Sequence, residues 1–273
     1  MSKVIQKVMG QATSDGAGVA LKRIIGQGSL PRIDPFLMLD EFGSANAEDY
    51  LAGFPPHPHR GFQTVTYMLE GKMGHRDSVG NAGLIEDGGL QWMNAGKGII
   101  HEEMPQQTQG VMRGFQLWVN LPASEKMSDP GYQDIPAQAI PEVIIAGGKV
   151  RVLAGTFQAC TGAVTTQAVK PEFWDVHLAK HNTFTADMHS QHNGFIYVYE
   201  GRVTIGEHDL QKGELGRLSL RDTLTVFTQT DSRFIVVTGK PINEPIVQYG
   251  PFVMNTQDEI EQAIQDFQAG RLA

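Results

Sequence analysis

An all-β fold with a single C-terminal helix is what this sequence predicts, and three observations point to it. Short runs rich in Val, Ile, Thr, Phe and Tyr recur along the chain, each bounded by Gly, Pro, Asp or Asn. Glycine is abundant, 31 of 273 residues, which favours many turns. One stretch in the first half has an echo in the second. GFQTVTYMLEGKMGHRDS from Gly61 and GFIYVYEGRVTIGEHD from Gly194 both open with Gly-Phe, pass through an aromatic strand, end in Glu-Gly and resume as another strand. Two copies of one antiparallel barrel give this spacing, and so do two unrelated hairpins.

Taken in order, the strand-like runs are FQTVTYMLEG from Phe62, GFQLWVNLP from Gly114, EVIIAGGKVRVLAG from Glu142, GFIYVYEGRVTIG from Gly194 and SRFIVVTG from Ser232. Several alternate apolar with polar residues, as half-buried strands do. SEKMSDPGYQDIPAQAIPEV from Ser124 is polar and proline-rich and reads as a linker. The expected organisation is an N-terminal barrel over residues 1–135, a C-terminal barrel over 136–250 and an extension over 251–273. In that extension Thr256 and Glu259 form a capping box. Ile260, Ala263, Ile264 and Phe267 follow at helical spacing, and Gly270 can end the helix. This predicts an amphipathic helix docked on a barrel.

The chain is long enough for two cores. Its net charge of −8 argues against nucleic acid as a partner, because phosphate binding needs a basic face. One cysteine, Cys160, excludes an intramolecular disulfide and a cysteine-rich zinc site. Nothing cationic lies beside it in sequence to activate the thiol, so an inert thiol is expected. No apolar run approaches the roughly 20 residues needed to cross a bilayer. The N-terminal stretch lacks the apolar core of a signal peptide, so a cytoplasmic protein is expected.

The candidate chemistry lies in histidine pairs. In GFPPHPHRGF, His57 and His59 are two apart, and residues two apart on a strand point the same way. Pro58 favours the extended chain this requires. Downstream, in GGLQWMNAGKGIIHEEMP, His101 and Glu103 repeat the spacing. Two extended segments can converge on one ion. Three imidazoles and one carboxylate leave two open positions on an octahedral ion, a set that suits Fe(II), Mn(II), Ni(II), Co(II) or Cu(II), and Zn also uses these ligand types. Pattern alone leaves open that these are hydrogen-bonded core histidines or part of a plain loop.

The segments DPFLMLDEFG, GFPPHPHRGFQTVTYMLEG, LQWMNAGKGIIHEEMP, FQLWVNLPASEKM and EPIVQYGPFVMNT resemble the pirin family of the cupin superfamily, over nearly the whole chain. That resemblance implies a bicupin of two stacked β-barrels (double-stranded β-helices). It further implies one metal in the N-terminal barrel, usually iron, on His57, His59, His101 and Glu103. Gln63 stands where many cupins carry a glutamate ligand; in pirin-like proteins that position is not the ligand. Some pirin-like proteins are quercetin 2,3-dioxygenases, so the resemblance implies a flavonol and O2 as substrates, with Glu103 as the base. Other pirins act without turnover, as redox-sensitive regulators of a transcription factor or enzyme, which implies a protein partner.

The second barrel reads differently. His189 and His192 in DMHSQHNGF precede its matching strand, but their spacing of three keeps them off one strand face, and a second metal is not expected. His75, His177, His181 and His208 lack partners at ligand spacing and read as structural. Phe62, Trp92, Met93 and Trp118 read as strand core.

Overall fold

Each strand-like run of the sequence is a strand in the computed structural model, which describes residues 1–165 and 168–272. Phe62–Glu70, Met112–Asn120 and Ser232–Gly239 correspond to three of them. EVIIAGGKVRVLAG folds as the hairpin Glu142–Ile145 and Gly148–Ala154, and GFIYVYEGRVTIG as Asn193–Glu200 followed by Arg202–Ile205. Phe62–Glu70 is buried along its first seven residues, so it reads as nearly continuous rather than alternating. Thr183–Asp187, covered on one face only, alternates exposed and buried residues.

The strands form one architecture twice. The first barrel has a seven-stranded sheet in the order Gly131–Ile135, Leu90–Asn94, Phe62–Glu70, Met112–Asn120, Phe36–Ser44, Val19–Ile25 and Gln11–Asp15. The second barrel repeats it as Lys3–Met9, Glu214–Ser219, Asn193–Glu200, Ser232–Gly239, Glu172–Leu178, Gly148–Ala154 and Glu142–Ile145. Each also has a four-stranded sheet. It runs Phe54–His59, Ile99–Pro105, Met73–Asp77 and Ala82–Ile85 in the first barrel, and Thr183–Asp187, Thr223–Thr228, Arg202–Ile205 and His208–Gln211 in the second. The two echoed segments take the same place in both orders, which favours duplication over unrelated hairpins.

Two features depart from the sequence reading. Lys3–Met9 pairs antiparallel with Glu214–Ser219, so the chain's start belongs to the second barrel and not to a continuous 1–135 segment. The compact unit of the first barrel takes 12–26, 36–137 and the chain from Ile242 onward, and that of the second takes 1–11, 27–35 and 138–241. The expected linker is also structured. Its Gly131–Ile135 pairs with Leu90–Asn94, and Lys126 is buried, its ammonium donating to the Gly61 and Val253 carbonyls and to Asn120 Oδ1 at 2.7, 2.9 and 2.7 Å. Burial pulls Lys126 down to about 8, so at neutral pH it still has three protons for three acceptors. A polar, proline-rich composition concealed this anchor.

The helix spans Gln257–Gln268 and carries the expected capping box between Thr256 and Glu259. Ile260 and Ala263 are buried with Phe252, Met254 and Leu272, and Ile100 and Ile264 pack against them. Phe267 is at the rim, 40% exposed. Gly270 takes φ +65 just beyond the helix, a left-handed value that suits glycine. Among the described residues no helix is long and apolar enough to cross a membrane.

Candidate metal centre

Strand pairing brings the predicted histidines together. Ile99–Pro105 runs antiparallel to Phe54–His59 with His101 opposite His57 and Ile99 opposite His59. Phe54–His59 is an edge strand of its sheet, where prolines without N–H donors are tolerated. Beyond His101 the register slips, and Glu103 falls opposite Phe54, a bulge accommodating the extra residue at Pro55–Pro56. The turn after His59 is tight: Gly61 has φ +88, and a Cβ there would collide with the Val253 carbonyl.

His57, His59 and His101 each offer a ring nitrogen within 4.8 Å of the other two. Nitrogens bound to one ion at about 2.1 Å lie at most about 4.2 Å apart, so small ring rotations suffice to share it. His59 and His101 are buried, at 2% and 1% exposure, and His57 is half-buried. The ring nitrogens show what they lack. His57 Nδ1 lies 2.8 Å from the Pro55 carbonyl, which makes it the N–H donor and leaves Nε2 with its lone pair. His59 Nδ1 and both ring nitrogens of His101 are buried without a hydrogen-bond partner among the described residues. Orphaned buried imidazole nitrogens are costly, and a divalent cation would satisfy His59 Nδ1 and one of the two nitrogens of His101.

The electrostatics agree. Burial, then His101 and His57, hold His59 well below the usual imidazole range, against a hydrogen bond to the Pro251 carbonyl. Burial, then His57 and His75, do the same for His101. Metal ligation requires neutral imidazole, and this pocket keeps it neutral.

Glu103 is not part of this three-histidine cluster. It is buried at 2% exposure, two residues along the strand from His101. Thr66 Oγ1 lies 2.8 Å from its Oε1 and 2.7 Å from Gln116 Oε1, with one proton between the two acceptors, and Gln116 Nε2 donates to its Oε2 at 3.1 Å. His75 lies opposite Glu103 on the neighbouring strand, with Nε2 3.2 Å from Asp134 and its ring stacked on Tyr132 at 5.0 Å. His75 is thus structural, as expected, but it belongs to the surroundings of the site.

Phe62 and Trp118 do more than fill core. Their rings lie 5.1 and 5.3 Å from His59 and 4.4 Å from each other, an aromatic wall on one side of that histidine. Gln63 accepts from the Trp92 indole at 3.0 Å and fixes that ring. Behind the site, Arg60 is 4% exposed and its Nη1 pairs with Asp266 of the helix at 2.9 Å. The backbone of Arg60 bonds to Pro251 and Val253. The helix and its approach therefore brace the segment that carries His59.

Elsewhere, His177 is held by Asp175 at 2.9 Å and Tyr199 at 3.2 Å. Cys160 is partly buried against the second core. His189 and His192, expected to stay apart, meet with ring centroids 4.8 Å apart, because His192 N–H bonds the His189 carbonyl and closes a β-turn. Residues three apart diverge on a strand but not across a turn. Among the described residues this pair is not part of a three-ligand cluster.

Comparison with known proteins agrees with this architecture. The model of the Pirin family matches residues 18–119, and that of the Pirin C-terminal cupin domain matches residues 173–273. A pirin-like protein of Caulobacter vibrioides is 49% identical over 98% of this chain and 98% of its own. Human pirin is 39% identical over 97% of this chain and 92% of its own. A crystal structure of a quercetin 2,3-dioxygenase from Acinetobacter baumannii aligns with TM-score 0.93 and 34% identity, covering 100% of this chain and 99% of that one.

Proposed function

Because this chain belongs to the pirin family, we propose that it is a metal-dependent dioxygenase that opens flavonols such as quercetin, with release of carbon monoxide. The observation that carries this reading is the cluster of three mutually close imidazoles, two of them buried with unpartnered nitrogens. In this reading His57, His59 and His101 hold one divalent transition metal, Fe(II) by family resemblance, and Glu103 completes the set. When bound, the metal supplies Lewis acidity toward the 3-hydroxyl and neighbouring carbonyl of the flavonol.

The protein's own groups do the rest. Glu103 accepts the 3-hydroxyl proton on a carboxylate oxygen. Thr66 and Gln116 use at most one lone pair on each oxygen and leave others free, so the same carboxylate can be held in place and still act. Trp118, half-buried beside His59 and backed by the fully buried Phe62, offers an apolar ring against which a flat aromatic substrate can pack.

The test is direct. Protein loaded with Fe(II) and given quercetin in air is expected to bleach the flavonol absorbance and release carbon monoxide. Full metal occupancy with no turnover would overturn the enzymatic reading in favour of a metal-binding regulator. A protein partner retained with one of Fe(II) and Fe(III) and released with the other would then identify that role.

A further inference from the structure

The second barrel has a cavity of about 630 Å³ whose walls include Lys170, Glu172, His189, His192, Lys240 and Thr156. None of these residues takes part in the metal centre. A volume of this size suits a small organic molecule rather than a single inorganic ion.

Its polar groups are ordered by a hydrogen-bond chain. Thr238 Oγ1 has one proton and donates it to Glu172 Oε2 at 3.0 Å. The 3.1 Å contact between Thr238 Oγ1 and His192 Nδ1 is therefore His192 donating to Thr238. A neutral imidazole that donates from Nδ1 has an accepting lone pair on Nε2. The ring is neutral at pH 7: burial, then His189, Lys170 and Lys240, lower His192 to about 4. Burial raises the Glu172 carboxyl, and two contacts oppose that by favouring its carboxylate form, the Thr238 hydrogen bond on one oxygen and His189 Nε2 at 3.5 Å from the other.

Lys170 and Lys240 are exposed and Glu172 is buried, so the walls present two solvated ammonium groups to one buried carboxyl, an excess that favours an anion. Beside the buried Glu172 a phosphate-monoester dianion meets more like-charge repulsion than a monocarboxylate, which favours the monocarboxylate. The pairing of an accepting Nε2 with two cations then asks for a hydroxyl and a carboxylate on one molecule. The position is also telling: His192-Asn193-Gly194-Phe195 repeats His59-Arg60-Gly61-Phe62, so the place of a metal-centre histidine is reused on a different framework.

We propose that the second barrel binds a small monoanionic hydroxycarboxylate, its carboxylate held by Lys170 and Lys240 and its hydroxyl donating to His192 Nε2. This site is independent of the metal centre and of the dioxygenase reading.

Calorimetric titration of the full-length, metal-loaded protein with 4-hydroxybenzoate, benzoate and inorganic phosphate tests it. 4-Hydroxybenzoate should bind one-to-one, with benzoate about tenfold weaker, the value of one good hydrogen bond, and phosphate weakest. Lys170→Gln combined with Lys240→Gln should weaken 4-hydroxybenzoate by about tenfold or more while metal content stays unchanged. Thr238→Val should erase the preference for 4-hydroxybenzoate over benzoate but leave benzoate binding in place. His101→Ala should change none of these affinities. Absence of 4-hydroxybenzoate binding, tighter binding of phosphate, indifference to the two lysines, or loss in His101→Ala would each overturn the proposal.

Discussion

The two barrels share a strand order and differ in what fills them. In the first, the strand pair Phe54–His59 and Ile99–Pro105 turns His57 and His101 toward each other. In the second, the corresponding pair sets Ala186 opposite Leu224 and Phe184 opposite Val226, all four buried in one apolar cluster with Phe157, Trp174 and Phe234. The loop to the next strand differs too. Two residues, Arg60 and Gly61, separate His59 from Phe62, whereas five separate Asp187 from Asn193, and that longer loop contains His189 and His192. The same architecture therefore supports a buried histidine cluster where its interior is polar, and a packed core with a side cavity where it is not. Backbone topology sets the positions; the side chains decide which becomes a site.

The sharpest break of this comparison is His101→Ala. It removes the ligand with two orphaned nitrogens, and bound metal and quercetin turnover should both fall to near zero while the circular dichroism spectrum is unchanged. Retention of wild-type metal content, read by elemental analysis, would show that the first barrel does not use its histidines as argued. Glu103→Gln separates base from ligand. It keeps the shape but loses carboxylate charge and basicity, so turnover should fall by about 10²-fold or more, with metal retained more fully than in His101→Ala.

The converse test belongs to the second barrel. Phe184→Ala should cost about 3–5 kcal/mol, the usual penalty for emptying a buried phenyl site, with no change in metal content. Urea unfolding of the metal-free protein measures it. A loss below about 1 kcal/mol would mean that the second interior is not the tightly packed core its apolar cluster indicates.

Much of this division was legible in the sequence. Strands were marked by β-branched and aromatic runs between glycines, and His57 and His59 by a spacing that only an extended chain turns into one face; the same spacing paired His101 with Glu103, which is not part of the three-histidine cluster. The contacts that finish the sites were not. Thr66 and Gln116 meet Glu103 only through strand register, 37 and 13 residues away in sequence. The pairing of Lys3–Met9 with the second barrel joins residues more than 200 apart, and nothing local encodes it. His189 and His192 were misjudged because strand geometry was applied to residues that form a turn. Local periodicity reports what is buried; it says nothing about which distant polar group shares the burial.

A smaller contrast comes from pH. His192 titrates at about 4 instead of the ordinary 6.5. Between those values the unfolded chain takes up a proton that the folded chain refuses, so stability falls as pH falls through this window and levels off, for this residue, below about 4. Its neighbours His189, Lys170 and Lys240 act in the same direction, while Glu172 is reached through Thr238. His192→Gln should therefore flatten the stability profile between about pH 6.5 and 4. The slope that persists in metal-free protein belongs in part to His59 and His101, whose lowered values act with the same sign. An unchanged slope in His192→Gln would show that the cavity histidine is not held neutral.

The smallest effect expected is at the C-terminal helix, which belongs to the first barrel's unit. Thr256 accepts from the Glu259 backbone N–H at 3.2 Å, and Glu259 answers with its carboxylate on the Thr256 N–H at 2.9 Å. Thr256→Ala removes one half of that exchange and should cost about 1 kcal/mol. Because the helix holds Asp266 against Arg60, the residue next to His59, fraying should also loosen the metal centre. The proposed 4-hydroxybenzoate cavity lies in the other compact unit, so its affinity should be unaffected while the rate of metal loss to a chelator rises by a few-fold. Equal changes at both sites would mean that the helix supports the whole chain, and no change at either would mean that the Asp266–Arg60 pair holds without the cap.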